Sequence, residues 1–368
     1  MGVDFAQNAL PMRDFSVPKA RRGAGKPVLA GAASPRRSAK KQHRTMIIGL
    51  LAGLAAGAVW GLVFVGPAAV MPYTSLDLTV ARYLAFGIGS LVLMLTVPRC
   101  RAGIVPRRDA GAGLVLGLTG YVVYYLLAAG AVQLAGPAIP PLVIGSLPVV
   151  LALVGNWRER TVRWRTLAMP LGLILAGLAL VNIATLAGAD SAASRANVVL
   201  GCLCALGAVA VWTIYALVNA RTSRALAGDG VYAWTSLQGV GSLVGVLPLV
   251  PLLTVDGWSS VPQLGLFNAD GLRLVLWAVL LGMVSSWVGA VLWIIAARRL
   301  PVAFAGQLIV SETVFALVYG FLFEGRWPTP GEVGGAGLLM LGVFAAASAF
   351  RRAEEGSKDA RLVADCQL

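Results

Sequence analysis

From Met46 to Gly66 the chain reads MIIGLLAGLAAGAVWGLVFVG, without one charged residue. A helix rises about 1.5 Å per residue, so a run of this length crosses a hydrocarbon core of about 30 Å. The run is too long for the apolar core of a signal peptide and ends in no clear cleavage site, so it reads as a first membrane span. Translation from Met46 instead of Met1 stays open. Gly49, Gly53, Gly57 and Gly61 recur every fourth residue along it, a stripe of small residues that lets a second helix approach closely.

The rest of the chain repeats the pattern. Hydrophobic residues make up 58% of the 368 and charged residues 12%, where a soluble domain carries about 25% charged residues. So few charges cannot cover a soluble surface of this size. Ten apolar segments follow one another, at about 46–66, 76–97, 112–132, 138–155, 167–185, 197–219, 232–254, 274–297, 301–323 and 332–350. Lipid offers the backbone no hydrogen-bond partner, so each is expected to be helical. The expected fold is an all-α integral membrane protein with ten transmembrane helices.

Net charge is +14, which raises the question of nucleic acid. The distribution argues otherwise. Residues 1–45 hold ten Lys and Arg against two Asp; this tail lacks apolar periodicity and reads as a disordered basic segment. With the N-terminus in the cytoplasm, the tails (1–45 and 351–368) and inner loops hold 26 Lys and Arg and the outer loops three, Arg195, Arg273 and Arg326. That bias places both termini in the cytoplasm of a multi-pass inner-membrane protein. The partners expected are the lipid bilayer and a small molecule, with no nucleic acid and with a homodimer left open.

The segments fall into two copies. Shifted by 165 residues, Ser146-Leu147-Pro148-Val149 lies over Ser311-Glu312-Thr313-Val314, Gly117 over Gly282, Gly155 over Gly320, Glu159 over Glu324, and Gly172 and Gly177 over Gly337 and Gly342. For the first two segments of each copy the shift is 152: Trp60 meets Trp212, and Gly87, Gly89 and Ser90 meet Gly239, Gly241 and Ser242. The copies are 46–185 and 197–350, with the extra residues of the second in the loop between segments 7 and 8. Five spans is an odd number, so the second copy is expected to be inverted in the membrane. The charges agree: loop 156–166 carries four Arg, and its counterpart 324–331 keeps one. Inverted repeats are an architecture of alternating-access transporters, with the site near the midplane between the copies.

These features resemble the EamA-type branch of the drug/metabolite transporter superfamily. The resemblance rests on the two five-helix copies, Trp60-Gly61 late in the first span, Arg82 early in the second and Ser-Leu-Pro-Val in the fourth. Glu312 in the ninth span, Phe323-Glu324-Gly325 at its end and the Gly-rich tenth (Gly335, Gly337, Gly342) belong to it as well. It covers about 46–350. Where the family often has Glu-Pro in the ninth span, this chain has Glu312-Thr313, so no proline removes a backbone bond there. The resemblance implies a secondary transporter of small organic metabolites such as amino acids or amines, with export the expected direction and proton coupling a further expectation.

The candidate chemistry follows from polar residues at membrane depth. Glu312 sits in the middle of segment 301–323, where a carboxyl costs about 3 kcal/mol or more; it is expected to take part in coupling, the alternative being a carboxyl hydrogen-bonded across a helix interface. Gln307 and Ser311 share a helical face with an i, i+4 spacing, and Ser146 and Pro148 occupy the matching region of the first copy. The serines offer hydrogen bonds to a substrate or bond back to their own helix. Tyr121 and Tyr125, also i, i+4, with Tyr124 beside them, and Trp287 are candidate cavity aromatics, against the alternative of packing or interfacial anchoring. Trp60 and Trp212, as repeat mates, are expected to close the two ends. Arg82 either snorkels to the outer interface or pairs with an anion.

Other classes find little support. Paired acids, a His cluster and a nucleophile with a base are missing from the spans, His43 being the only His; no enzyme activity is expected. The four Cys show no metal-ligand spacing, and Gly23-Ala24-Gly25-Lys26-Pro27 lacks the spacing of a phosphate loop, so neither metal nor cofactor is expected. A membrane-embedded sensor or receptor and a multidrug efflux protein are the alternative readings.

Overall fold

The computed structural model describes residues 35–103, 106–159, 162–187, 192–223, 230–300, 308 and 310–365. They are almost wholly helical. Packing is described within the compact unit Arg44–Leu368.

Ten helical elements can be followed. α1 is Pro35–Gly61 and α2 is Ser75–Thr96. α3 runs from Pro106–Gly117 through a π-helical stretch, Leu118–Val123, into Tyr124–Ala135. α4 comes in two pieces, Ile139–Ile144 and Leu147–Glu159. α5 is Trp164–Ala187, α6 Ala192–Ser223 and α7 Gly230–Val246. α8 runs from Ala269–Val279 through a second π stretch, Leu280–Val288, into Gly289–Arg299. α9 is Val310–Glu324 and α10 Pro330–Asp365.

Eight helices among the described residues are long and apolar enough to cross a membrane, which makes the chain a multi-pass, all-helical membrane protein. The expected spans 138–155 and 301–323 are not among those eight. In the first, the helix breaks at Gly145-Ser146: the Gly145 N–H still reaches Pro141 O at 2.7 Å, but that of Ser146 bonds only three residues back, to Val143 O. Pro148, lacking an N–H, cannot restore the ladder. In the second, α9 has 15 residues, and residues 301–307 lie outside those described. α1 is helical from Pro35 and α10 to Asp365, because the Arg, Lys, Ala and Glu flanking the apolar runs are good helix formers. The disorder expected for residues 1–34 lies outside the described residues.

Helix ends are secured by local chemistry. Thr74 and Asp77 form a reciprocal capping box on α2, and Thr329 and Glu332 do the same for α10. Asp77, 2% exposed, also accepts from Ser259 Oγ at 2.6 Å and Ser260 N at 3.0 Å. Together with Thr74 Oγ1 donating to Trp258 O and Arg273 donating to Met71 O, these bonds latch the α7–α8 connection onto the start of α2.

α2 packs on α7 and α8, α3 on α6 and α7, α5 on α10, and α4 on α6. The glycine stripe of α1 lies against the end of α8 and against α9: a Cβ at Gly49 would meet Leu300, at Gly53 Leu308, at Gly57 Ser311 and at Gly61 Phe315. At the α5–α10 crossing, Gly177 and Gly335 each face the other's backbone. One buried cluster gathers Phe64, just after α1, with Tyr83, Phe86, Tyr125 and Leu281 from α2, α3 and α8; a second gathers Leu142, Ile174, Val310 and Leu339 from α4, α5, α9 and α10. Many large apolar side chains face outward, Leu95, Met169 and Leu322 among them, as a lipid-covered surface requires.

Candidate functional site

A cavity of about 640 Å³ lies among α1–α4 and α6–α9, within the size range of small-molecule sites. α5 and α10 contribute no lining residue; they brace the bundle from outside. The cavity extends to Asn219, near the end of α6, and Val231, at the start of α7. No residue of the latched segments 71–77 or 255–273 lines it.

Nine of its 29 described lining residues are aromatic. Tyr121 stacks on Phe86 with ring centroids 5.2 Å apart and meets Tyr83 and Tyr215 edge-on. Trp60 packs against Trp293 at 5.8 Å and donates its indole N–H to Ser285 O at 3.0 Å; Ser285 Oγ donates to Val59 O, so α1 and α8 are tied twice. At the other side, Asn219 Oδ1 accepts from Trp234 Nε1 at 2.8 Å and from Gln238 Nε2 at 3.2 Å, and Tyr215 OH donates to Gln238 Oε1. The π stretches of α3 and α8 carry Gly120, Tyr121, Ser285 and Ser286 to this wall. Widened turns of this kind recur at functional sites.

Of the residues singled out in the sequence, Glu312, Tyr121, Trp60 and Trp212 line the cavity, as does Tyr124. Glu312 has no hydrogen-bond or ion-pair partner among the described residues. Others lie elsewhere. Ser146 and Ser311 each donate to the carbonyl three residues back, Val143 O at 2.7 Å and Leu308 O at 2.6 Å, and neither lines the cavity. Tyr125 is fully buried behind the wall, and Trp287 turns to Ser236, with Nε1 3.4 Å from its hydroxyl. Gln307 and the side chains of Pro148 and Glu159 lie outside the described residues. Glu324 sits at the end of α9 in an ion pair with Arg326 and does not line the cavity.

Arg82 does not snorkel. It is 5% exposed, lines the cavity, donates from Nη2 to Ser286 Oγ at 3.1 Å and lies 4.0 Å over the ring of Tyr125. Sequence reading also passed over Tyr83, Thr235, Gln238, Ser285 and Ser286. A signal for several of them was available. Under the shifts of 152 and 165, nine pairs of lining positions are repeat mates: 60 and 212, 63 and 215, 64 and 216, 82 and 234, 83 and 235, 120 and 285, 121 and 286, 145 and 310, 147 and 312. Carrying Trp60, Arg82 and Tyr121 across the repeat would have pointed to Trp234 and Ser286.

The EamA-like transporter family model matches residues 199–348. Inner membrane protein YtfF of Escherichia coli (strain K12) is 35% identical over 311 residues, 83% of this chain and 96% of that protein. The threonine/homoserine exporter RhtA of the same strain is 32% identical over 154 residues, 40% of this chain and 43% of its own. A crystal structure covering 84% of this chain and matched over 99% of its own shares the fold, with a TM-score of 0.53 at 17% identity. With a near full-length relative at that identity and the helical cavity architecture in place, the chain belongs to the EamA-like transporter family of the drug/metabolite transporter superfamily.

Proposed function

We propose that this membrane transporter moves small organic metabolites such as amino acids or amines out of the cell, as a secondary transporter working by alternating access. The observation that carries the reading is the cavity whose wall is built from nine pairs of repeat mates. A site lined by equivalent positions of two copies is what two five-helix repeats facing each other produce. The packing has the same exchange symmetry: α2 meets α7 and α5 meets α10, while α3 on α7 is matched by α8 on α2, and α4 on α6 by α9 on α1. We read the two copies as inverted in the membrane, with α4 and α9 completing ten crossings.

With the Arg-rich loops toward the cytoplasm, the latched α2 and α7–α8 segments lie outside and the cavity extends toward the inner ends of α6 and α7. This is the arrangement of a state that receives substrate from the cytoplasm. Trp60 and Trp212 stand on opposite copies and serve as the closing groups in the two states. Glu312, without a hydrogen-bond or ion-pair partner among the described residues, serves as the coupling carboxyl, exchanging a proton or a cationic group as the cavity changes sides. The substrate class also draws on RhtA, whose name states threonine and homoserine export.

The test is metabolite profiling, inside and outside, of cells making the wild-type protein, the Glu312→Gln variant at equal membrane level, or neither. A solute enriched outside and depleted inside with wild type only is expected. Identical export by Glu312→Gln removes the carboxyl from the mechanism, and three coincident profiles overturn export.

A further inference from the structure

We propose that Arg82 is the receptor for a carboxylate on the transported molecule, which makes the substrates carboxylates or zwitterions; the inference rests on the transporter reading above. Arg82 is placed on α2 at the cavity wall, and its guanidinium is almost wholly buried. Ser286 Oγ takes one hydrogen bond from Nη2, while Nε and Nη1 have no acceptor. Three of the five N–H donors of a guanidinium sit on those two atoms. Among the described residues no carboxylate lies within ion-pair distance of Arg82, and Glu312 is the only acidic side chain among them that lines the cavity.

A buried cation without a counter-charge is strongly unfavourable. The rings of Tyr125 and Tyr83, at 4.0 and 5.3 Å from the guanidinium carbon, lessen that cost but accept no N–H bond in the plane of the guanidinium. The Tyr125 hydroxyl, equally buried, has no partner either. Packing does not demand a charge here: the repeat mate of Arg82 is Trp234, and that of Glu312 is Leu147, both lining the same cavity. Neither charge is present at the matching position of the other copy. A guanidinium fork matches the planar pair of oxygens of a carboxylate, and the aromatic wall accepts the apolar remainder of such a molecule. Nε and Nη1 are buried in this state, so engaging the carboxylate requires the side chains around them to shift.

The experiment uses the full-length protein in lipid nanodiscs and in proteoliposomes. The probes are matched pairs: L-phenylalanine and its amide, L-threonine and its amide, benzoate and benzamide. Wild type is expected to bind at least one carboxylate about tenfold or more tightly than its amide, the range of hydrogen bonds to a charged group. Arg82→Gln should bring that ratio to near one, and Arg82→Lys should keep part of it, as a point charge without a fork. Ser286→Ala, which keeps the charge but frees the guanidinium, should weaken carboxylates a few-fold and leave amides unchanged; it decides the matter if Arg82 variants fail to fold. Equal binding of carboxylate and amide, a preference untouched by Arg82→Gln, or no carboxylate binding at millimolar concentration overturns the proposal. Flux in the proteoliposomes is read separately: Arg82-dependent binding without flux upholds the receptor and sinks the transporter reading, and flux without carboxylate preference does the reverse.

Discussion

A methyl group placed on Gly57 tests the contact that sets α9, and with it Glu312, against α1. A Cβ there would overlap Ser311 Oγ and lie 3.1 Å from the backbone N of Glu312 and 3.2 Å from the carbonyl carbon of Ser311. Two costs follow. Ser311 must rotate away from Leu308 O, losing a 2.6 Å bond worth about 1 kcal/mol. The two backbone contacts are closer than ordinary van der Waals separation, so the helices must part by a few tenths of an ångström, an overpacking cost of about 1 kcal/mol or more. Gly57→Ala is therefore expected to destabilise by about 2 kcal/mol, roughly a 30-fold change in an equilibrium. The readout is the fraction of monodisperse protein surviving a heating series in detergent, together with transport at equal membrane level. Ser311→Ala alone should cost about 1 kcal/mol or less, and combined with Gly57→Ala it should restore part of the loss, because the overlapping oxygen is gone. This non-additivity is expected of side chains in contact. A Gly57→Ala protein as stable and active as wild type, or strict additivity with Ser311→Ala, would refute the close α1–α9 contact.

Two more expectations concern the ends of the cavity. Asp77→Ala leaves the backbone N–H groups of Thr74 and Ser260 and the Ser259 hydroxyl without their acceptor, so a loss of about 3 kcal/mol is expected; proteolysis should then cut the 255–265 segment sooner, and wild-type resistance would argue against the latch. Trp60→Ala removes the bond to Ser285 O and the packing on Trp293, and should lower transport severalfold while raising labelling of a single cysteine introduced at position 290; unchanged transport and labelling would end its role as a closing group.

How much of this was legible varies by residue. Glu312, Trp60 and Trp212 stood out because a carboxyl in a span and a repeated Trp are rare against an alphabet of Gly, Ala, Leu and Val, and all three line the cavity. Tyr121 and Tyr125 were placed together by the 3.6-residue period, yet only Tyr121 lines it. The π stretch Leu118–Val123 widens the turn, and α-helical spacing then no longer tells which side chains share a face. Ser146 and Ser311 satisfy their own helices instead, because a hydroxyl in an apolar helix finds its nearest acceptor in the preceding turn. Segment 138–155 carried enough apolar residues for a span, but composition does not register where a hydrogen-bond ladder is interrupted, as it is at Gly145-Ser146.

The sequence alone determined the class of protein and raised the reading of two copies. The hydrophobic run lengths leave lipid as the solvent, and the coincidences at shifts of 152 and 165 need no coordinates. Which side of each helix faces the cavity was decided by the tertiary structure, because it depends on how neighbouring helices cross and on where their turns widen. Arg82 shows the difference most sharply. A snorkelling arginine and a buried one have the same letter at the same depth in a helix; only the packing of Tyr83, Tyr125 and Ser286 around the guanidinium turns it from a boundary residue into a charge held at the cavity wall.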